Sequence, residues 1–307
     1  MGVEGNDDMD TKMKPFEEKT VAIKNGETLF YRFRKGGNHK LVLLHGNMSS
    51  SANFDILMNE ISTEFTIYAL DQRGFGDSSY EKTADSIKTY ADDLAQFAKA
   101  VELESFDLLG WSFGGNVAMR FAIDHKKMLN KLVLLSAGGL HGFPVEKRRF
   151  FGLIPTGKYL SSKEDIQKSV KPIEKIREKK QRKILQMVFN RTLYSNKKPN
   201  KARYVKYEKA FFQQRNLVDV NYALAHFNLT DTSNGVVDGT NEVSKIEVPV
   251  LIMHGKLDKI VPYSVAEETS EKLKNAEFKS FEEGSHALFV DETKTVCTTI
   301  FDFLVGT

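Results

Sequence analysis

Apolar residues recur along the chain in two rhythms. Short dense runs of Val, Leu and Ile alternate with longer stretches whose apolar positions fall three and four residues apart. The dense runs are KLVLLHG (40–46), FTIYALD (65–71), FDLLGWS (106–112), KLVLLSA (131–137) and VPVLIMHG (248–255). Near-continuous apolar runs suit strands buried on both faces, as in a parallel sheet. AEFKSFEEG (276–284) reads as a last strand. TVAIKN and ETLFYRF read as a hairpin around Asn25-Gly26, a strong turn signal. Helical spacing covers SIKTYADDLAQFAKAVE (86–102), GGNVAMRFAIDH (114–125), SVAEETSEKLKN (264–275) and TKTVCTTIFDFL (293–304). Strand–helix alternation on this scale predicts an α/β fold with a mostly parallel sheet.

The alternation fails between about Phe143 and Lys245. Two long segments there, 163–189 and 201–227, are helical in pattern, and no clear buried strand is visible. The expected organisation is therefore a tail over residues 1–17, a core of 18–142 and 246–307, and a helical insertion over 143–245. The insertion also differs in charge. From Pro144 to Arg215 there are 21 Lys and Arg against 6 Asp and Glu, a balance of +15, although the whole chain is only +3.

Composition narrows the function classes. A net charge of +3 over 307 residues gives no reason to expect a nucleic-acid partner. Cys297 is the single cysteine, which excludes an internal disulfide and favours a reducing compartment. The first 15 residues lack the apolar centre of a secretory signal and read as a disordered tail. Asn6 stands where a myristoylation signal has Ser or Thr. No apolar run approaches the ~18 residues of a membrane-spanning helix. The expectation is a soluble cytoplasmic protein with no integral membrane segment; the sequence specifies no oligomeric state.

Candidate chemistry starts at Ser112. The order is strand FDLLG, then Gly110-Trp111-Ser112-Phe113-Gly114-Gly115, then a helix. A sharp turn there would expose the hydroxyl above the sheet, and small neighbours would let strand and helix backbones approach. A bare G-x-S-x-G is a weak pattern; correct flanks on both sides favour a nucleophile over a loop serine. A serine needs a base. In this order of elements an acid should end a late strand, with a histidine in a loop beyond it. Asp258 closes VPVLIMHGKLD, and His286 in FEEGSHALF is the one histidine of seven that follows it. His45, His254 and His125 fit packing or capping roles. Glu282 and Glu283 fit a solvated loop better than an orienting role. After KLVLLSA stand Gly138 and Gly139, so no carboxylate is offered there. An oxyanion hole needs two N–H donors; Phe113 and Asn47 are the candidates, and the Asn47 side-chain amide is a further option.

These residues resemble the α/β-hydrolase fold superfamily over about residues 18–305. LLHGN (43–47), DQRGFGDSS (71–79), GWSFGG (110–115), and HGKLDKIVP with GSHALF carry the resemblance, in order and spacing. It implies an eight-stranded sheet flanked by helices, with a helical cap inserted after the sixth strand. It also implies structural roles for Asp71 and Arg73. Ser112 stands where dehalogenases and epoxide hydrolases have aspartate, and Trp111 where carbon–carbon bond hydrolases tend to have Asn. The stretch is closer to small carboxylesterases, including the one that cleaves a pimeloyl ester.

Three readings follow. The first is a serine esterase using Ser112, His286 and Asp258 on a small-molecule ester, with no metal or organic cofactor. The second is a lactone, amide or carbon–carbon bond hydrolase, or an acyltransferase, with the same residues. The third is a non-catalytic receptor on the same fold. Trp111, Met48 and Phe143 are pocket candidates. Cap aromatics (Phe143, Phe150, Phe151, Phe189, Tyr204, Tyr207, Phe211, Phe212, Phe227) would roof a mostly apolar pocket. The basic excess fits solvated helix faces, or attraction of an anionic substrate or surface.

Overall fold

The structure, a computed structural model, describes residues 16–149 and 154–306. The strands are β1 (Glu17–Ala22), β2 (Thr28–Arg34), β3 (His39–Leu44), β4 (Phe65–Leu70), β5 (Phe106–Trp111), β6 (Leu129–Leu135), β7 (Glu146–Arg149), β8 (Ile154–Tyr159), β9 (Val250–Gly255) and β10 (Ala276–Phe281). The helices before β9 are α1 (Asp55–Glu60), α2 (Ile87–Ala100), α3 (Phe113–Asp124), α4 (Lys163–Glu178), α5 (Arg182–Arg191), α6 (Lys201–Gln213) and α7 (Leu217–Ala225). After β9 come α8 (Tyr263–Lys272), α9 (Leu288–Asp291) and α10 (Thr293–Val305).

Eight strands form one sheet in the order β1-β2-β4-β3-β5-β6-β9-β10. β2 runs antiparallel to both β1 and β4, and the remaining pairs are parallel. The predicted strands are all present. The central ones are largely apolar because each faces two cores. In β3, Leu41 and Leu43 enter one core while Val42 and Leu44 enter the other. β6 divides the same way, with Val133 and Leu135 opposite Leu132 and Leu134. α2 and α3 cover one face, and α1 and α10 cover the other. β1 begins at Glu17, inside the stretch read as tail; positions 1–15 lie outside the described residues.

The segment between β6 and β9 departs from the expected all-helical pattern. It opens with an antiparallel hairpin, β7 on β8, before α4 to α7. The strand sequences EKRR and IPTGKY have neither an apolar run nor a regular alternation, so periodicity could not reveal them. The long basic helical pattern also breaks in two, at Lys179–Gln181, where Lys180 adopts φ +47°. Tyr204, Tyr207 and Phe211 join the same core as α1 and α10. Buried Asp55 on α1 accepts from the Tyr207 hydroxyl and, at 3.3 Å, from Arg203 Nε, which ties α6 to the sheet layer. Phe150 and Phe151 lie outside the described residues.

The motif DQRGFGDSS proves structural. Asp71 accepts backbone N–H groups from Ser51 (2.7 Å) and Asp77 (2.9 Å), and Arg73 makes a forked pair with Asp93 (2.7 and 2.5 Å).

Asp107 on β5 is buried, and burial pushes its carboxyl up to about 6. A raised carboxyl pKa opposes folding as pH climbs from the unfolded value of ~3.9 through the folded one. Below that window both states are neutral and the penalty vanishes. Asp107→Asn should therefore gain up to about 3 kcal/mol near neutral pH and almost nothing below about pH 3.5, read by denaturant unfolding at both. An equal gain at both would show that ionisation is not the cause.

Candidate active site

β5 ends at Trp111 and α3 begins at Phe113, so Ser112 alone makes the strand-to-helix turn. Its φ and ψ are 54° and −121°, a region costly for a residue with a Cβ. Close approach demands the flanking glycines. A Cβ on Gly110 would meet Gly114 O at 2.4 Å, and one on Gly114 would meet Leu44 O at 2.2 Å. Backbone bonds hold the turn: Ser112 N–H donates to Leu135 O at 3.1 Å, and Ser112 O accepts from Gly115 at 2.8 Å and Gly138 at 3.2 Å. Glycine at position 112 would relieve the strain that alanine keeps. Ser112→Gly should therefore be more stable than Ser112→Ala by about 1 kcal/mol in urea unfolding. Equal midpoints would show an unstrained turn.

The structure brings Asp258 and His286 together. Asp258 lies in the loop after β9, and His286 in the loop between β10 and α9. His286 Nδ1 donates to Asp258 Oδ2 at 2.8 Å, which leaves Nε2 as the free ring nitrogen. Asp258 Oδ1 accepts the N–H groups of Ile260 (2.8 Å) and Val261 (3.0 Å). Burial alone would push the Asp258 carboxyl up. His286, and His254 with its Nε2 3.3 Å from Oδ2, instead hold it well below the usual carboxylate range. Asp258 is therefore ionised at any working pH.

Ser112 and His286 line one cavity of about 270 Å³, together with the other candidates Asn47, Met48, Trp111, Phe113 and Phe143. Phe113 opens α3, so its N–H has no carbonyl partner within the helix. Asn47 follows β3 on the adjacent strand; its Oδ1 accepts from Met48 N–H (2.9 Å) and from Gln214 Nε2 (2.8 Å). Gln214 escapes sequence reading because it acts across 167 positions. Trp111 does more than line the cavity. Its indole N–H donates to His286 O at 3.0 Å and so fixes the histidine loop. From the insertion, α4 contributes Ile173, α5 Val188 and Phe189, and α7 Leu224. Of the described insertion aromatics, only Phe143 and Phe189 reach the cavity; Tyr204, Tyr207 and Phe211 pack in the core instead.

The histidine loop is also fastened to the insertion. Leu193 O accepts from Ala287 N–H and the Ser285 hydroxyl, both at 3.3 Å. Asp291 accepts from Ser285 N–H (2.7 Å) and from Lys197 N–H (2.8 Å).

The other histidines fall outside this pair. Buried His45 accepts Gln72 N–H on Nε2 (3.1 Å), so Nδ1 carries the proton and donates to Gly46 O (2.8 Å). Burial holds it down to about 4, so it stays neutral. His125 follows the end of α3 and bonds Asp92 at 2.9 Å. The role of His254 beside Asp258 was invisible in the sequence, where it read as a packing residue.

A sheet of this strand order, with a serine forced into the turn between a central strand and its helix, defines an α/β hydrolase. The chain belongs to the alpha/beta hydrolase fold family, whose sequence profile matches residues 40–293. It is 26% identical to the AB hydrolase superfamily protein YisY of Bacillus subtilis, over 87% of this chain and 92% of that one. It is 24% identical to the pimeloyl–acyl-carrier-protein methyl ester esterase of Vibrio atlanticus, over 90% and 98%. An esterase from Exiguobacterium antarcticum superposes with a TM-score of 0.73 at 22% identity, covering 94% of this chain and 99% of that chain. Among the described residues no helix is long and apolar enough to cross a membrane.

Proposed function

We propose that the protein is a serine hydrolase that cleaves a small carboxylic ester through an acyl-enzyme. The observation that carries this reading is a histidine, oriented by a buried carboxylate, on the same cavity as a serine held in a strained turn. Ser112 Oγ attacks the carbonyl while His286 Nε2 takes its proton. Asp258 holds the imidazole in the required tautomer and stabilises its protonated form. The N–H groups of Phe113 and Asn47 receive the oxyanion, aided by the positive end of α3. His286 then protonates the leaving alcohol, and water repeats the cycle on the acyl-enzyme.

The cavity is small and its walls are mainly apolar, from Trp111, Phe143, Ile173, Val188, Phe189 and Leu224. That lining favours an apolar acyl or alcohol group of modest size. Residues 143–245 act in this reading as a cap that roofs the site.

A fluorophosphonate probe tests the nucleophile without knowledge of the substrate. Wild type should be labelled and folded Ser112→Ala should not. Folded wild type that resists the probe would overturn the proposal.

A further inference from the structure

Five of the 21 Lys and Arg between Pro144 and Arg215 stand on α5 or in the turn before it. Lys168 and Arg177 on α4 pair with Glu164 and Glu174, at 2.8 and 3.8 Å. Lys179, Lys180, Arg182, Lys183 and Arg191 are exposed, and among the described residues none has a carboxylate in ion-pair range. Aliphatic side chains stand among these cations. Ile184 is 40% exposed and Met187 51%, one turn apart on α5. Val205 on α6 is 44% exposed. α6 packs beside α5, with the Phe189 and Phe211 rings 5.8 Å apart and the Tyr204 hydroxyl donating to Asn190 at 3.1 Å.

The inner side of α5 is already used. Leu185 and Phe189 are buried, and Val188 and Phe189 line the cavity. Helical spacing places Ile184 and Met187 at the outer end of the apolar arc formed by Val188, Leu185 and Phe189, with Lys183 and Arg191 beside them. Single exposed aliphatic side chains are ordinary on a solvated face, but here two stand one turn apart among these unpaired cations. A polyanion such as RNA would engage the cations and leave both apolar side chains in water. An anionic bilayer satisfies both at once, with headgroup phosphates at the cations and the acyl boundary at the aliphatic groups.

We propose that the outer face of α5, with the adjoining face of α6, docks the protein on an anionic lipid bilayer. Docking there sets the roof of the cavity at the lipid surface. The proposal stands on this surface and does not depend on the esterase reading.

The test is sedimentation of the full chain with phosphatidylcholine vesicles, with and without phosphatidylglycerol. The expected result is binding to the anionic vesicles alone, weakened by raised salt. Ile184→Glu/Met187→Glu and Lys180→Glu/Lys183→Glu should each weaken binding about tenfold or more, with an unchanged melting temperature. If the first pair destabilises the fold, Ile184→Ala/Met187→Ala must still weaken binding. Failure of wild type to bind anionic vesicles overturns the proposal. So does binding that follows the lysines but ignores Ile184 and Met187, which is simple adsorption. Equal affinity for polyglutamate would also overturn it and assign the face to an acidic protein.

Discussion

Ser112→Ala is expected to lower ester turnover by about a millionfold while changing KM little. The substitution removes one oxygen and leaves the turn in place, since its backbone bonds to Leu135, Gly115 and Gly138 do not involve the hydroxyl. The oxyanion donors and the cavity walls also remain. What disappears is the covalent route, which His286 cannot replace because a base without its nucleophile can only activate water. Residual activity should therefore come from the donors of Phe113 and Asn47 alone. Steady-state kinetics on a short chromogenic ester measures it. Retention of even a tenth of wild-type kcat would remove Ser112 from the proposed chemistry.

Asp258→Asn should cost about 10⁴-fold in kcat. The reason lies in how the two carboxylate oxygens are used. Oδ1 accepts two backbone N–H groups, from Ile260 and Val261, and these donors cannot reverse. The asparagine oxygen must stay with them, so its NH₂ faces His286 Nδ1. That nitrogen then has to accept, which moves the ring proton to Nε2 and leaves the cavity with a donor where it needs a base. The same NH₂ would also meet His254 Nε2, whose N–H already donates toward Val261 O at 3.0 Å. Near-normal turnover would mean another carboxylate orients the histidine. The melting temperature, measured alongside, separates lost chemistry from lost fold.

Much of this site could be read before any coordinates, and for a physical reason. Strands buried on both faces are mostly apolar, so β3, β5, β6 and β9 announce themselves as runs. The candidate residues sit at the ends of those runs or in the loops beyond, and chain order then leaves few choices. Ser112 is legible because only glycines tolerate the contacts around it. The illegible parts depend on long-range or loop geometry. β7 and β8 pair through their backbones, and their sequences carry no apolar run to betray them. Gln214 meets Asn47 only because α6 ends above the loop after β3. His254 reaches Asp258 through the shape of one turn. The aromatics of α6 were expected over the pocket but face the layer of α1 and α10, a choice of helix side that spacing alone does not make.

The fastening of the histidine loop bears on protein engineering. Families of this fold invite the exchange of insertions between relatives as a way to change substrate range. Here the stretch Leu193–Lys197 belongs mechanically to the histidine loop, through Leu193 O and the Lys197 N–H bond to Asp291. A hybrid spliced at residues 143 and 245 would replace those anchors with foreign backbone and let His286 drift. One that keeps residues 192–198 from this protein and exchanges only what precedes and follows them would keep His286 in place. In this chain the insertion and the histidine loop are not separate modules.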